Sequence, residues 1–62
     1  MTGEKLRECR ERLGMTQAEL AREVGVRSDT LSRWEREERK IPKSVEILVL
    51  KYLLPQAKKA FD

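Results

Sequence analysis

The stretch "TQAELAREVGVRSDTLSRWE", Thr16–Glu35, decides the fold, because it predicts one helix that ends and another that begins almost at once. Thr16 and Glu19 have the spacing of a capping box, in which each side chain accepts a hydrogen bond from the backbone N–H of the other residue. Met15 and Leu20 flank this box where a hydrophobic staple would form. We therefore expect a helix to begin directly after Thr16.

The end of this helix is marked as clearly as its start. Val24 is its last expected residue, and Gly25 follows where a helix end needs a left-handed residue, which glycine adopts without steric cost. Val26 can then close back onto Ala21, as in a Schellman motif. The next helix is expected at 28–36, so two short helices should meet at a fixed angle across a tight turn.

The second of these helices has an apolar side and a charged side. Leu31 and Trp34 point the same way. Because they share this phase, we expect Trp34 to be a core residue and not an exposed stacking residue. Ala21 is small, Gly25 follows four residues later and Leu31 six residues after that, the spacing of a helix-turn-helix unit, here 16–36. The outward-facing positions are Ser28, Asp29, Ser32, Arg33 and Arg36.

A further helix is predicted at 3–13, ahead of the helix-turn-helix unit. Thr2 can cap its start and Gly14 can end it. Cys9 is expected to be a small core residue, because free cysteines are usually buried. The apolar stripe of this helix consists of Leu6, Cys9 and Leu13.

After a polar, basic loop, a fourth helix is predicted to start at Pro42 or Ser44 and to end before Pro55. Its apolar residues fall on two stripes, although a surface helix needs only one. The first stripe consists of Val45, Leu48, Val49, Tyr52 and Leu53, and the second of Ile47, Leu50 and Leu54.

The second stripe needs a cover, and two covers remain open. The tail can fold back onto it as a short fifth helix through Ala57 and Phe61. A second protomer can cover it instead, and we favour this homodimer, with an interface made of Ile47, Leu50, Leu54 and Phe61.

Length and composition limit the classes of function. The 62 residues predict one small domain, 1–62, of marginal stability. The chain carries 14 Lys and Arg against 11 Asp and Glu, a net charge of +3, so the placement of charge matters more than its sum. A single cysteine cannot form a disulfide within the chain, which favours a reducing compartment such as the cytoplasm. No apolar run reaches the length of a membrane span.

The residues needed for catalysis are also missing. There is no histidine, the usual general base at neutral pH, and one cysteine provides no His/Cys metal cluster. We therefore expect no enzyme activity, no metal and no cofactor.

The segments "MTQAELAREVGV" and "TLSRWE", and a following loop with proline at Pro42, resemble the helix-turn-helix family of phage repressors and Cro proteins (XRE-like, lambda-repressor-like). The resemblance extends from Leu6 to about Leu54. It implies an all-α, compact bundle of four to five helices that binds double-stranded operator DNA, commonly as a symmetric homodimer, and regulates transcription.

In this family the helix after the turn lies in the major groove, and its N-terminal half reads base edges. An arginine there can offer a bidentate fork to guanine, and Asp29 can accept from a cytosine amine. The alternative for Asp29 is an i,i+4 ion pair with Arg33 that only stabilises the helix. The resemblance assigns base reading to Arg27, Ser28, Asp29, Ser32 and Arg33.

The resemblance also implies contacts with the DNA backbone. It places Gln17 against a phosphate, and helix N-termini do bind anions. It pairs Arg10 with Glu35 in a salt bridge between the first and third helices, with the arginine also facing a phosphate. Thr16 should act first as a helix cap. For the cations of the loop after the third helix, the alternative to phosphate binding is a plain solvated surface. The expected phosphate-binding residues are Arg10, Thr16, Gln17, Arg36, Lys40 and Lys43, with Arg39 a weaker candidate.

Two positions depart from the family pattern near the DNA-reading helix. Arg27 stands where a small capping residue is usual, so Ser28 is an alternative cap, which would remove it from base reading. Glu37 stands where the following loop often has glycine, so we expect the geometry of that loop to differ.

The sequence as a whole predicts a sequence-specific transcriptional regulator, a repressor that binds a palindromic operator. The alternative is a protein-binding helix-turn-helix module, like an antitoxin or a coactivator, that uses the apolar stripe of the fourth helix.

Overall fold

The computed structural model describes residues 1–54, without the side chain of Tyr52. Their regular secondary structure is helical, with turns and loops between the helices and no strand within residues 1–54. A π-helical segment, Leu48–Leu53, continues the fourth helix. The helices are α1 (Gly3–Arg12), α2 (Gln17–Val24), α3 (Ser28–Glu35) and α4 (Lys43–Ile47). The fifth helix expected through Ala57 lies outside the described residues.

The capping box and the Schellman motif expected in the helix-turn-helix unit are both present. Thr16 Oγ1 accepts a hydrogen bond from the Glu19 backbone N–H, and the Glu19 carboxylate accepts one from the Thr16 backbone N–H, which completes the capping box. Gly25 adopts φ 80°, and the Val26 N–H donates to the Ala21 carbonyl at 2.9 Å, as a Schellman motif requires. The turn between α2 and α3 is therefore fixed by backbone hydrogen bonds.

The end of α3 uses the same motif without a glycine. Glu37 adopts φ 62°, its N–H donates to the Trp34 carbonyl at 3.1 Å, and the Glu38 N–H donates to the Arg33 carbonyl at 2.9 Å. These are the two hydrogen bonds of a Schellman motif. The expectation that this loop would differ in geometry was wrong, since Glu37 takes the left-handed conformation that glycine would take. The cost of that conformation for a residue with a Cβ is about 1–2 kcal/mol.

The core forms where α1 and α2 pack against the inner side of α3. Cys9 and Trp34 are buried, as predicted. A Cβ on Gly3 would collide with the backbone carbonyls at the end of α3, so glycine allows the start of α1 to approach that end closely. The buried core consists of Leu6, Cys9, Leu20, Ala21, Leu31, Trp34, Val45 and Val49.

The fourth helix differs from its prediction as a single α-helix. Its backbone widens after α4, and the Leu54 N–H donates to the Val49 carbonyl, five residues back. In such a π-helical segment the hydrogen bonds reach five residues back instead of four, so each residue turns through a smaller angle about the helix axis than in an α-helix. Leu54 is thereby turned towards the core and packs against it, half-buried. Leu54 thus differs from Leu50, which is exposed, and its contact with a second protomer stays a prediction.

Two residues of the predicted outer stripe remain exposed. Ile47 is 39% and Leu50 40% exposed, and they are the exposed large apolar side chains among residues 1–51, 53 and 54. Phe61, the remaining residue of the expected interface, lies outside the described residues. We call Ile47 and Leu50 the apolar pair.

Replacing Glu37 with glycine should stabilise the protein. The substitution removes the steric cost of the left-handed conformation, and the larger backbone entropy of glycine in the unfolded chain offsets part of that gain. We expect the free energy of unfolding to rise by about 0.5–1 kcal/mol, or a few degrees in Tm for a domain of this size. Thermal unfolding followed by circular dichroism measures it.

The matched control is Glu38→Gly, one residue further on, where φ is not positive. Glycine should destabilise that position. If both substitutions lower Tm equally, the conformation of Glu37 is not a source of strain.

Candidate nucleic-acid interface

A buried carboxylate joins the three helices that carry the candidate interface. The side chain of Glu35, at the end of α3, is inaccessible to solvent. It accepts hydrogen bonds from Arg10 Nε at 2.7 Å and Nη2 at 3.3 Å, on α1, and from Gln17 Nε2 at 3.0 Å, on α2. Arg7 Nε lies 3.6 Å away. The salt bridge expected between Arg10 and Glu35 is present, and we call these four residues the Glu35 network.

The network keeps Glu35 ionised. Burial raises the pKa of the Glu35 carboxyl, but the hydrogen bonds from Arg10 and Gln17 and the charges of Arg10 and Arg7 outweigh it and hold the pKa below its ordinary value. The hydrogen bond to Glu35 likewise raises the pKa of the Arg10 guanidinium. Each partner therefore stabilises the charged form of the other.

Two of the predicted phosphate-binding residues are committed to this network. Arg10 is only 16% exposed, and its third nitrogen, Nη1, donates to the Met15 carbonyl at 3.0 Å. The amide of Gln17 donates to Glu35, a bond that the sequence did not indicate. Thr16 acts as the helix cap, as expected. Contact of these residues with phosphate stays a prediction.

The outer side of α3 carries the predicted base-reading residues. Arg27 is the N-cap, with an extended backbone, and Ser28 is the first helical residue, so the alternative in which Ser28 caps the helix was wrong. Arg27, Ser28, Asp29 and Arg33 are exposed and Ser32 is half-buried. Four of the five predicted base-reading side chains are therefore exposed, at the start of α3 or along it.

Asp29 has a different ionic partner from the expected one. Its Oδ1 lies 3.5 Å from Nε of Arg27. No ion pair between Asp29 and Arg33 is formed within residues 1–54. The i,i+4 pair was therefore the wrong alternative for Asp29, and Arg33 extends from the helix with no carboxylate partner among the described residues.

The segment after α3 adds further exposed cations. Arg36 lies 3.2 Å from Glu38 through its Nε, so part of its charge is offset. Lys40, and Lys43 at the start of α4, are exposed and form no ion pair with any residue of 1–54. Arg39 is exposed as well. This segment therefore presents positive charge next to the end of α3.

Other kinds of site find no support in the described part of the chain. Residues 1–54 hold no group of three or more His, Cys, Asp or Glu side chains arranged to bind a metal ion. None of the helices described combines the length and apolarity that a membrane crossing requires.

The comparisons with known proteins agree with this geometry. The model of a family described as helix-turn-helix matches residues 6–53, which span α1 to the π-helical segment. No curated protein and no solved structure matches the chain.

Acid should weaken the fold through Glu35. Because its folded pKa lies below its unfolded pKa, the stability it contributes is present above about pH 4.3 and is lost as pH falls through the folded pKa. Glu35→Gln should lower the free energy of unfolding by about 2 kcal/mol at pH 7, since hydrogen bonds to charged groups contribute roughly 1.5–3 kcal/mol. Urea unfolding at pH 7 and pH 3 would show the difference between wild type and variant shrinking in acid.

Glu11→Gln is the matched control, because Glu11 is an exposed carboxylate on α1 outside the network. It should change stability little at either pH. A Glu35→Gln protein as stable as wild type at pH 7 would contradict a stabilising role for the network.

Proposed function

The chain belongs to the helix-turn-helix family of XRE type, a family of DNA-binding regulators, and we propose that it is a sequence-specific repressor that binds a palindromic operator through the major groove as a homodimer. By occupying its operator in the cytoplasm it would exclude the transcription machinery. The single observation that carries the proposal is the division of α3 into a buried inner side and an exposed polar and charged outer side.

The geometry of α3 suits a major groove. The groove is about 12 Å wide and admits one helix, whose N-terminal residues meet the base edges. Leu31 and Trp34 hold the inner side of α3 in the core, and Glu35 ties its end to α1 and α2. The helix can therefore enter the groove as part of a rigid body, with little reorganisation on binding.

Base reading is assigned to the outer side of α3. Arg33 is exposed and has no carboxylate partner within 1–54, so its guanidinium can form a bidentate pair with guanine. The hydroxyl groups of Ser28 and Ser32 can donate to or accept from base edges. Arg27, at the start of α3, is assigned to base reading as well, and Asp29 of the predicted set lies 3.5 Å from its Nε.

Phosphate binding is assigned to cations and helix ends beside α3. Arg36, Lys40 and Lys43 would contact the DNA backbone after the helix, and Thr16 and Gln17 before it, at the start of α2. Arg10 would act chiefly by holding Glu35, since its three nitrogens are engaged. Such contacts set affinity and register without reading sequence.

The apolar pair supports the homodimer. Ile47 and Leu50 lie on the part of the fourth helix that faces away from the core, and their burial against a second copy would remove apolar surface from water. A two-fold symmetric dimer would place two copies of α3 about 34 Å apart, one turn of DNA.

The same apolar pair favours a second candidate function. A protein-binding module of this fold could seat a partner protein on Ile47 and Leu50. It would not require Arg33, whereas the repressor would.

The DNA-binding proposal predicts that the protein enriches a palindrome from a random duplex pool at roughly 150 mM salt, where non-specific attraction is weakened. Arg33→Ala should lose about tenfold or more in affinity for the enriched sequence, since one bidentate arginine–guanine pair is worth about 1–3 kcal/mol. Fluorescence anisotropy with the selected duplex gives the Kd values.

Arg12→Ala is the control for lost charge, because Arg12 is an exposed arginine on α1 to which no DNA contact is assigned. It should lose far less affinity for the selected duplex. If folded wild-type protein enriches no sequence, the repressor proposal fails and a protein partner of the apolar pair becomes the function to pursue.

The dimer proposal predicts that the double variant Ile47→Asp, Leu50→Asp is monomeric, because a shared interface cannot bury two carboxylates from each copy. Its affinity for a single half-site should match that of wild type. Its affinity for the full palindrome should fall by about tenfold or more, because its two copies no longer bind cooperatively. Sedimentation equilibrium and anisotropy measure the two effects.

Lys51→Asp, next to Leu50 on an exposed position, is the matched control, since it adds a carboxylate beside the apolar pair. It should leave dimerisation largely intact. A wild-type protein that is monomeric both free and on the palindrome would refute the dimer.

A further inference from the structure

The pair formed by Arg27 and Asp29 stands at the start of α3 and takes no part in the core. Nε of Arg27 lies 3.5 Å from Oδ1 of Asp29, and the two side chains are 87% and 60% exposed. Arg27 makes no capping hydrogen bond with its side chain. Asp29 lies in the first turn, where the helix N-terminus stabilises a negative charge. The helix N-terminus thus favours the charged carboxylate, and Nε of the guanidinium lies close to it.

A carboxylate on this surface requires an explanation, because it repels the phosphates that flank a major groove. An i,i+4 ion pair with Arg33 that stabilises α3 does not explain this carboxylate, because Asp29 lies against Arg27 instead. An exposed ion pair also contributes little to the stability of a folded domain. The arrangement is better explained by what it does to Arg27.

The contact leaves the recognition edge of Arg27 available. A guanidinium carries five N–H donors in a rigid, planar fork. Asp29 approaches Nε, and within residues 1–54 no acceptor hydrogen-bonds to Nη1 or Nη2. Two parallel hydrogen bonds to O6 and N7 of guanine use two such donors. The attraction between Asp29 and Nε favours some rotamers of the long side chain over others, so less rotamer freedom is lost when the remaining donors bind a base.

We infer that Asp29 is a positioning residue that holds Arg27 for guanine and reads no base itself. This inference rests on the proposed function, because it specifies how that same surface selects its operator. The pair also has no net charge, so it adds little to the sequence-independent attraction for DNA phosphates. The Nη1 and Nη2 donors of Arg27 nevertheless remain available to guanine. Asp29 therefore raises the ratio of specific to non-specific binding.

The test compares base preferences across a double-mutant cycle. Wild type, Asp29→Ala, Arg27→Ala and the double variant are each selected against the same random pool. Their affinities are then measured on the selected site, on that site with single guanines replaced, and on unrelated DNA at several salt concentrations. Circular dichroism checks that each variant is folded.

Arg27→Ala should lose about tenfold or more of the preference for one guanine in each half-site, the discrimination expected of a bidentate pair. Asp29→Ala should weaken the same preference about three- to tenfold while it raises affinity for unrelated DNA and steepens the salt dependence, because Arg27 can then bind phosphate. In the Arg27→Ala background, Asp29→Ala should leave base preference unchanged. Asp29→Asn, which keeps an acceptor without the charge, should restore part of the guanine preference.

Glu8→Ala is the matched control for charge, since it removes one exposed carboxylate from α1. It should leave every base preference as it is in wild type. A changed preference on removing Asp29 in the Arg27→Ala background would overturn the inference, because Asp29 would then read a base directly. An unchanged guanine preference in Asp29→Ala would overturn it as well.

Failure of the proposed function is visible separately. It would appear as the absence of any enriched sequence with the wild-type protein, and the inference would fall with it. When wild type does enrich a site, the variants test the role of Asp29 alone.

Discussion

The carboxylate of Glu35 is the constraint on which the rest of the structure depends. A charge removed from water costs several kcal/mol unless it is paired and hydrogen-bonded, and Glu35 meets that requirement only when α1, α2 and α3 are all in place. Arg10 has to come from α1 and Gln17 from the first residue of α2. We interpret the network as a device for specificity of packing, since an arrangement with any one helix displaced leaves a buried charge without a partner.

The apolar core and the network restrict α3 in different ways. Leu31 and Trp34 bury one side of the helix, but apolar packing is non-directional and tolerates some sliding and rotation. The hydrogen bonds from Arg10 and Gln17 fix the rotation and position of the end of α3. Together they hold the outer side of a helix of only eight residues at a defined angle to the start of α2.

Features that depend on a few neighbouring residues could be predicted from the sequence. The capping box, the left-handed Gly25 and the turn between α2 and α3 each involve residues at most five apart, and their hydrogen bonds follow from residue type alone. The salt bridge from Arg10 to Glu35 spans 25 positions and was reached only through family resemblance. The bond from Gln17 to Glu35 was missed because a glutamine at a helix start carries no local sign of a distant partner.

The errors fall where packing overrides a local rule. The helical wheel assumed one period along the whole fourth helix, but the π-helical segment changes that period and turns Leu54 towards the core, against which it is half-buried. No residue type within 48–54 indicates this change of helical period. Glu37 is the converse case, because the missing glycine suggested a different turn, whereas the hydrogen bonds that end α3 maintain the same turn with an unfavourable residue.

The division of α3 into a buried side and an exposed side also determines which residues of the candidate interface can be substituted. A domain of this length has little stability to spare, and α3 supplies both core and candidate recognition residues. Substitutions at exposed positions such as Ser28 or Arg33 usually change stability by less than about 0.5 kcal/mol, whereas those at Leu31 or Glu35 cost far more. The outer side of α3 can therefore change its DNA preference without unfolding the domain, provided that the Glu35 network holds the helix at the same angle.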